Sequence, residues 1–241
     1  MVACVPVFFK QNAGGAYLSR EQTAVDGATV TRLEFAAGSW PDRLKGFNRF
    51  GATRETVREV NRSVVKSAYM SFMASGHEKT FGEARQAFAN APESLPLTVA
   101  HGRSTSAGCA VAIEHRTAPA NYSWRNCPDL LSEFAGLPLP PATAIEEYPV
   151  RVLPTFLFAL HRAILTDAPA TTTLYTHNGK VYRLRTRSQI DRHSNEIALT
   201  CSTEPGQTEF KLWLASRDQT ALPTKIEFHP KNFLKLTLEQ E

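Results

Sequence analysis

The stretch LYTHNGKVYRLRTR, Leu174 to Arg187, decides the fold class. Asn178-Gly179 is the dipeptide that best accepts positive φ at both central positions of a two-residue type I′ turn, whose twist matches the strands it joins. Beside it Tyr182 and Leu184 alternate with Arg183, Arg185 and Arg187, the period-two pattern of a strand with one apolar and one polar face. The stretch therefore reads as a β-hairpin. Downstream the same alternation returns in Glu196 to Ser202, Glu209 to Ala215, Thr224 to His229 and Phe233 to Glu239. Inward sets follow from it: Ile197, Leu199 and Cys201; Phe210, Leu212 and Leu214; Ile226 and Phe228; Leu234, Leu236 and Leu238. This is the signature of an antiparallel meander over about 172–239 with one wet face and one that needs an apolar cover.

Immediately upstream lies that cover. Val150 to Leu165 (VRVLPTFLFALHRAIL) is apolar nearly all round, and Pro154 suits the first turn of a helix, where its missing amide hydrogen is not needed. Such a helix must be buried, here across the sheet. Toward the N-terminus, Ala16 to Ala24 and Ala28 to Phe35 flank Val25-Asp26-Gly27 as a second hairpin. From Thr53 the apolar spacing changes to three or four (Val57, Val60, Val64, Ala68, Phe72), with Arg54, Glu55, Arg58, Glu59 and Arg62 between. This predicts an amphipathic helix to about Ala74; the alternative is a pair of strands, since β-branched and aromatic residues are frequent there. Thr80 and Glu83 form a capping box for a short helix ending near Asn90, so 53–90 reads as a helical insertion. Leu97 to Arg103 and Cys109 to Arg116 make a hairpin around Ser104 to Gly108. Cys127 to Ala135 is a short helix, and Leu137 to Pro149 a Pro-rich rigid connector. The expectation is one α+β domain over 1–241: a single curved antiparallel sheet, a half-barrel or open barrel, wrapped around helix 150–165, with the N-terminal strands in the same sheet.

Composition agrees with a folded domain. The chain has 241 residues, 42% hydrophobic and 21% charged, long enough for a core without staples. A net charge of +4 spread in mixed-sign stretches lacks the basic stripe of a nucleic-acid-binding protein, and no apolar run reaches the ~18 residues of a membrane helix. Met1 to Phe9 (MVACVPVFF) reads as a first buried strand or as the remnant of a processing site, Val2-Ala3-Cys4 having the small-residue-then-Cys form of lipoprotein cleavage. The four cysteines, Cys4, Cys109, Cys127 and Cys201, show no CxxC or Cys/His cluster, so neither a metal site nor a cofactor is expected. Cys109 and Cys127 are buried free thiols, or a pair if the protein is exported.

Taken in order, Gly179-Lys-Val-Tyr182-Arg-Leu-Arg185, Phe210-Lys-Leu-Trp213-Leu and Leu222-Pro223-Thr-Lys-Ile226-Glu227-Phe228 before a last apolar strand resemble the C-terminal half of an uncharacterised family of exported bacterial domains. Their sheet is similar to the half-barrels of lipoprotein carriers. The resemblance covers about 90 of the 241 residues. It implies a periplasmic or envelope location, against a cytoplasmic one if the N-terminus is complete as it stands, and it carries over no catalytic residues.

For chemistry, His101 and His115 stand out. With the turn centred near Ser106, Leu97 opposes His115, Val99 opposes Ile113 and His101 opposes Val111, which puts both rings on one apolar face. At ~3.3 Å per residue they are roughly 13 Å apart, too far to share a ligand. His77-Glu78-Lys79 lacks zincin spacing, and Gly102 to Gly108 (GRSTSAG) joins two strands where a nucleophile elbow needs a strand and a helix. Tyr122, Trp124, Tyr175 and Tyr182 are the aromatic candidates for ligand contact. Arg183, Arg185 and Arg187 are an outward ladder of solubility or anion contact. Two functions follow: non-catalytic binding of an apolar or amphiphilic small molecule between sheet and helices, as carrier, sensor or envelope assembly factor; or acid-base catalysis in a barrel pocket, with His101 or His115 transferring the proton and Tyr122 or Tyr175 orienting the substrate. No nucleic-acid partner and no integral membrane segment are expected, and the sequence leaves the oligomeric state open.

Overall fold

The computed structural model describes residues 12–43, 49–74, 82–83, 86, 93–145, 152–190, 196–206, 208–216, 222–231 and 234–240. The expected strand at 5–9, the capping box at Thr80 and most of the short helix after it, and His77-Glu78-Lys79 lie outside these residues.

Among the described residues twelve strands form two separate antiparallel meanders. The first sheet runs β1 (Gly14–Val25), β2 (Ala28–Ser39), β3 (Phe50–Val60), β4 (Ser63–Ala74), β5 (Ser94–Thr105) and β6 (Gly108–Pro119) in chain order. A 3₁₀ turn (Trp124–Asn126) leads into helix α1 (Cys127–Phe134). Helix α2 (Phe156–Leu165) precedes the second sheet: β7 (Ala170–His177), β8 (Lys180–Ile190), β9 (Ile197–Glu204), β10 (Glu209–Leu214), β11 (Pro223–Lys231) and β12 (Leu234–Glu239).

The expected hairpins at Asp26-Gly27 and Asn178-Gly179 are present, with positive φ at all four residues. The single half-barrel is not: the N-terminal strands make a sheet of their own. The reason lies in α2. One side of it presents Leu157 and Phe158 to Leu33 and Val57 of the first sheet. Ala159 and Ile164 meet Leu184, Leu199, Leu212 and Leu214 of the second. A helix apolar nearly all round needs two apolar surfaces, and two sheets supply them.

The helical insertion expected from Thr53 is also corrected: 50–60 and 63–74 are β3 and β4, the pair-of-strands alternative. In β3 the buried residues are Phe50 and Ala52, then Glu55 and Val57; in β4 they are Ser67 and Tyr69, then Met70, Phe72 and Ala74. Burial changes face partway along each strand. Phe50, Ala52, Phe72 and Ala74 pack under Leu130, Leu131 and Phe134 of α1, on what we call face A. Glu55, Val57, Ser67 and Tyr69 point through face B at α2 and the β7–β8 turn. The change of face inserts odd steps into a period-two pattern, and those steps imitate helical spacing.

Cys109, Cys127 and Cys201 are free buried thiols. Cys109 belongs to β6, whose edge pairs with Thr143 of the connector through Cys109 N–H to Thr143 O at 2.8 Å and Thr143 N–H to Cys109 O at 2.6 Å. Cys127 lies on the opposite side of that sheet under α1, touching Gly51 O.

Leu131 has no exposed surface and anchors α1 to face A. Leu131→Ala should lower unfolding stability by about 3 kcal/mol, read from the urea midpoint at unchanged m-value, while the exposed neighbour change Ser132→Ala should cost under about 0.5 kcal/mol.

Candidate functional site

Between the sheets runs a buried polar seam. The Glu55 carboxylate, 2% exposed, accepts the amide of Phe158 at 3.1 Å and so closes the N-terminus of α2. Desolvation raises its pKa to about 7 against the lowering influence of the Thr155 hydroxyl and the Leu157 and Phe158 amides. Opposite it in register is Tyr69. The Tyr69 hydroxyl donates to Asn178 Oδ1 at 2.7 Å and accepts the Asn178 amide at 2.9 Å, tying β4 to the β7–β8 turn. Its ring meets that of His177 at 4.8 Å, tilted by 37°, and lies over Gly102, where a Cβ would fall 2.6 Å from a ring carbon. Ser67 Oγ donates to Leu153 O at 3.0 Å. Arg162 of α2 binds Glu59 and, at 2.9 Å, Arg62 O. These polar groups are used up holding one sheet against the other.

The two candidate histidines do not share a face as expected. The β5–β6 turn contains two residues, Ser106 and Ala107, with Thr105 opposite Gly108. His101 therefore opposes Ala112, Leu97 opposes Arg116 and Val99 opposes Glu114, one residue away from the expected register. A slip of one moves every side chain to the other face. His101 sits on face A beside Met70, 4% exposed, its Nε2 without a hydrogen-bond partner and its pKa lowered by desolvation, with Glu114 opposing. His115 opposes Thr98 on face B and is exposed.

The aromatic candidates fall into two separate clusters. Tyr122 and Trp124 pack against the α1 core, where Trp124 meets Trp40 at 5.6 Å and Tyr17 at 6.5 Å, and Arg125 stacks on Trp40 at 4.7 Å. Tyr175 and Tyr182 stack on each other at 5.4 Å inside the second sheet, with Phe156 of α2 5.3 Å from Tyr175. Both clusters pack against the apolar cores of their sheets. Arg183, Arg185 and Arg187 are exposed as expected, with Arg185 bound to Glu204 at 3.0 Å.

Toward the hairpin turns lies a part of face A that is only partly open: Met70, His101, Ala110 and Gly108 are buried in it, whereas Glu21, Lys66 and Arg103 are exposed. It consists of three cross-strand rows read from the register: Ser19, Glu34, Arg54, Met70, His101 and Ala112; then Glu21, Arg32, Thr56, Ala68, Arg103 and Ala110; then Thr23, Val30, Arg58, Lys66, Thr105 and Gly108. Arg54 and Arg32 share Glu34 at 2.6 and 3.1 Å, and Arg32 also approaches Glu21 at 3.8 Å. A depression of about 280 Å³ opens among Glu21, Thr23, Val30, Arg32, Arg54 and Thr56. Sequence reading missed this surface because, as a helix, 53–62 mixes its charges on one side. As a strand it sends Arg54 and Arg58 to face A, and Glu55 and Glu59 to face B. The signal was the i, i+4 repeat of like charge, which period two converts into segregation.

Among the described residues no group of three or more His, Cys, Asp or Glu side chains could hold a metal ion, and no helix is long and apolar enough to cross a membrane. Comparison with protein-family models, curated proteins and solved structures found no match.

Because the folded pKa of Glu55 lies above its ordinary value of 4.5, its contribution is complete below about pH 4.5 and is lost as pH rises through about 7. His161 on α2, lowered to about 4 by desolvation, Arg20 and Arg162, acts oppositely, losing stability as pH falls from 6.5 toward 4. The wild type minus Glu55→Gln comparison isolates the carboxyl: their stability difference should move against the wild type by on the order of 3 kcal/mol between pH 4.5 and 8, measured by urea unfolding at each pH. A difference that stays flat would mean that folding does not raise the Glu55 pKa.

Proposed function

We propose that this protein binds an amphiphilic small molecule without reacting it, on the partly open part of face A. The observation that carries the reading is the depression over β1 to β3, where Val30 and the methyl groups of Thr23 and Thr56 lie beside Arg32, Arg54 and Glu21. A surface with both aliphatic and cationic groups suits a ligand with an apolar body and a charged end. The space between α2 and the two sheets, where a half-barrel carrier would hold its ligand, is filled here by Phe156, Leu157, Phe158 and their partners. The ligand site therefore moves from the sheet–helix interior to the outer face of the first sheet. A carrier or sensor role, and the envelope location implied by the resemblance of the C-terminal strands, fit this chemistry.

Acid-base catalysis by a histidine has less support. His115 is exposed on face B, and His101 is sealed beside Met70 with its pKa pushed down by desolvation. A general base must reach the proton it takes.

Native mass spectrometry of gently purified protein should show an adduct that is lost on mild activation. Thr56→Trp, which fills the depression from the centre of the sheet, should reduce its occupancy at least about tenfold. Ligand-free protein that also fails to take up any long-chain amphiphile would end this reading.

A further inference from the structure

The cations of face A divide into two classes. Arg32 and Arg54 are neutralised by Glu34 and Glu21. Arg58, Lys66 and Arg103 have no hydrogen-bond or ion-pair partner among the described residues. Arg58 and Lys66 are directly opposite each other in the β3–β4 register, and Arg103 follows one strand over and one row on. Like charges facing each other across an antiparallel pair destabilise it, and a fold has no reason to keep three of them together unless something else neutralises them. A β-bulge falls between Arg58 and Glu59, with Val65 as the extra residue on β4. Bulges of this kind re-aim neighbouring side chains and recur beside functional sites. Thr105, in the same row, accepts the Ala107 amide at 3.2 Å, which leaves its hydroxyl proton free to donate.

We propose that Arg58, Lys66 and Arg103 bind a phosphate-type oxyanion, and that this group is the head of the amphiphile seated on face A. The inference rests on the binding reading above and names the chemical class of its ligand. Guanidinium groups match oxyanion geometry with paired donors, and the ammonium adds a point charge between them.

Calorimetric titration of the full chain with three probes tests it: inorganic phosphate, a lysophosphatidic acid below its micelle concentration, and the uncharged dodecyl maltoside. Lysophosphatidic acid should bind, phosphate should compete with it, and affinity should fall as salt is raised from about 50 to 200 mM. The double variant Lys66→Gln/Arg103→Gln, altered only at exposed positions, should weaken binding at least about tenfold. Equal affinity for dodecyl maltoside with no effect of the variant overturns the oxyanion inference and leaves the amphiphile reading standing. Phosphate binding that is sensitive to the variant, with neither amphiphile bound, supports the oxyanion site, assigns it to a free phosphate-type ligand and overturns the head-group assignment. No binding of any probe overturns both. Lys66→Glu supplies an independent readout: by facing Arg58 with a carboxylate it should raise Tm by about 1–3 °C and abolish binding. An unchanged or lowered Tm means that Arg58 is already compensated and removes the argument.

Discussion

Helix α2 is the constraint on which the rest of the molecule depends. It is ten residues long and apolar nearly all round apart from His161 and Arg162, so it is stable only where apolar surface closes over most of its circumference. Two sheets are needed for that, and its N-terminal amides, removed from water by the same closure, need an acceptor. Glu55 supplies it from the middle of β3. A carboxylate in that position is costly when ionised and cannot be spared, because deleting it would strand the helix terminus in a dry seam. The raised pKa of Glu55 is the consequence of that compromise and is no sign of catalysis.

From this seam follows the unusual use of the first sheet. Face B is buried toward the hairpin turns, where α2 and Asn178 dock, and face A is buried at the opposite end, under α1. In β3 and β4 each face thus has one covered half and one uncovered half. The uncovered half of face B exposes Met73 and Ile113, whereas that of face A displays Arg58, Lys66 and Arg103. Among the described residues the latter three cations have no partner, and they lie in the rows next to the depression.

The buried thiols fit the same division. Burial pushes the Cys127 and Cys201 thiols up to about 12 and raises that of Cys109, which disfavours the thiolate at each. They pack as small apolar residues, Cys127 beneath α1 and Cys201 in the second sheet's core.

The sequence by itself determined what depends on neighbours along the chain. Asp26-Gly27 and Asn178-Gly179 set their turns through φ alone, β8, β9 and β10 declared Leu184, Leu199, Cys201, Leu212 and Leu214 as inward by simple alternation, whereas Leu236 of β12, expected inward, is exposed, and the largely apolar circumference of α2 was legible because only burial explains it. Tertiary structure decided the rest. Whether Thr53 to Ala74 is helix or strands turned on which face each half of a strand buries, and that was set by elements far away, α1 and α2. The register of β5 on β6 turned on a two-residue turn that local composition did not distinguish from a longer loop, and one residue of slip separated His101 from His115. The cation cluster of face A is spread over β3, β4 and β5, so no local pattern carries it: it exists only once pairing has brought Arg58, Lys66 and Arg103 onto one surface, with the balancing carboxylates Glu55 and Glu59 sent through to the other side.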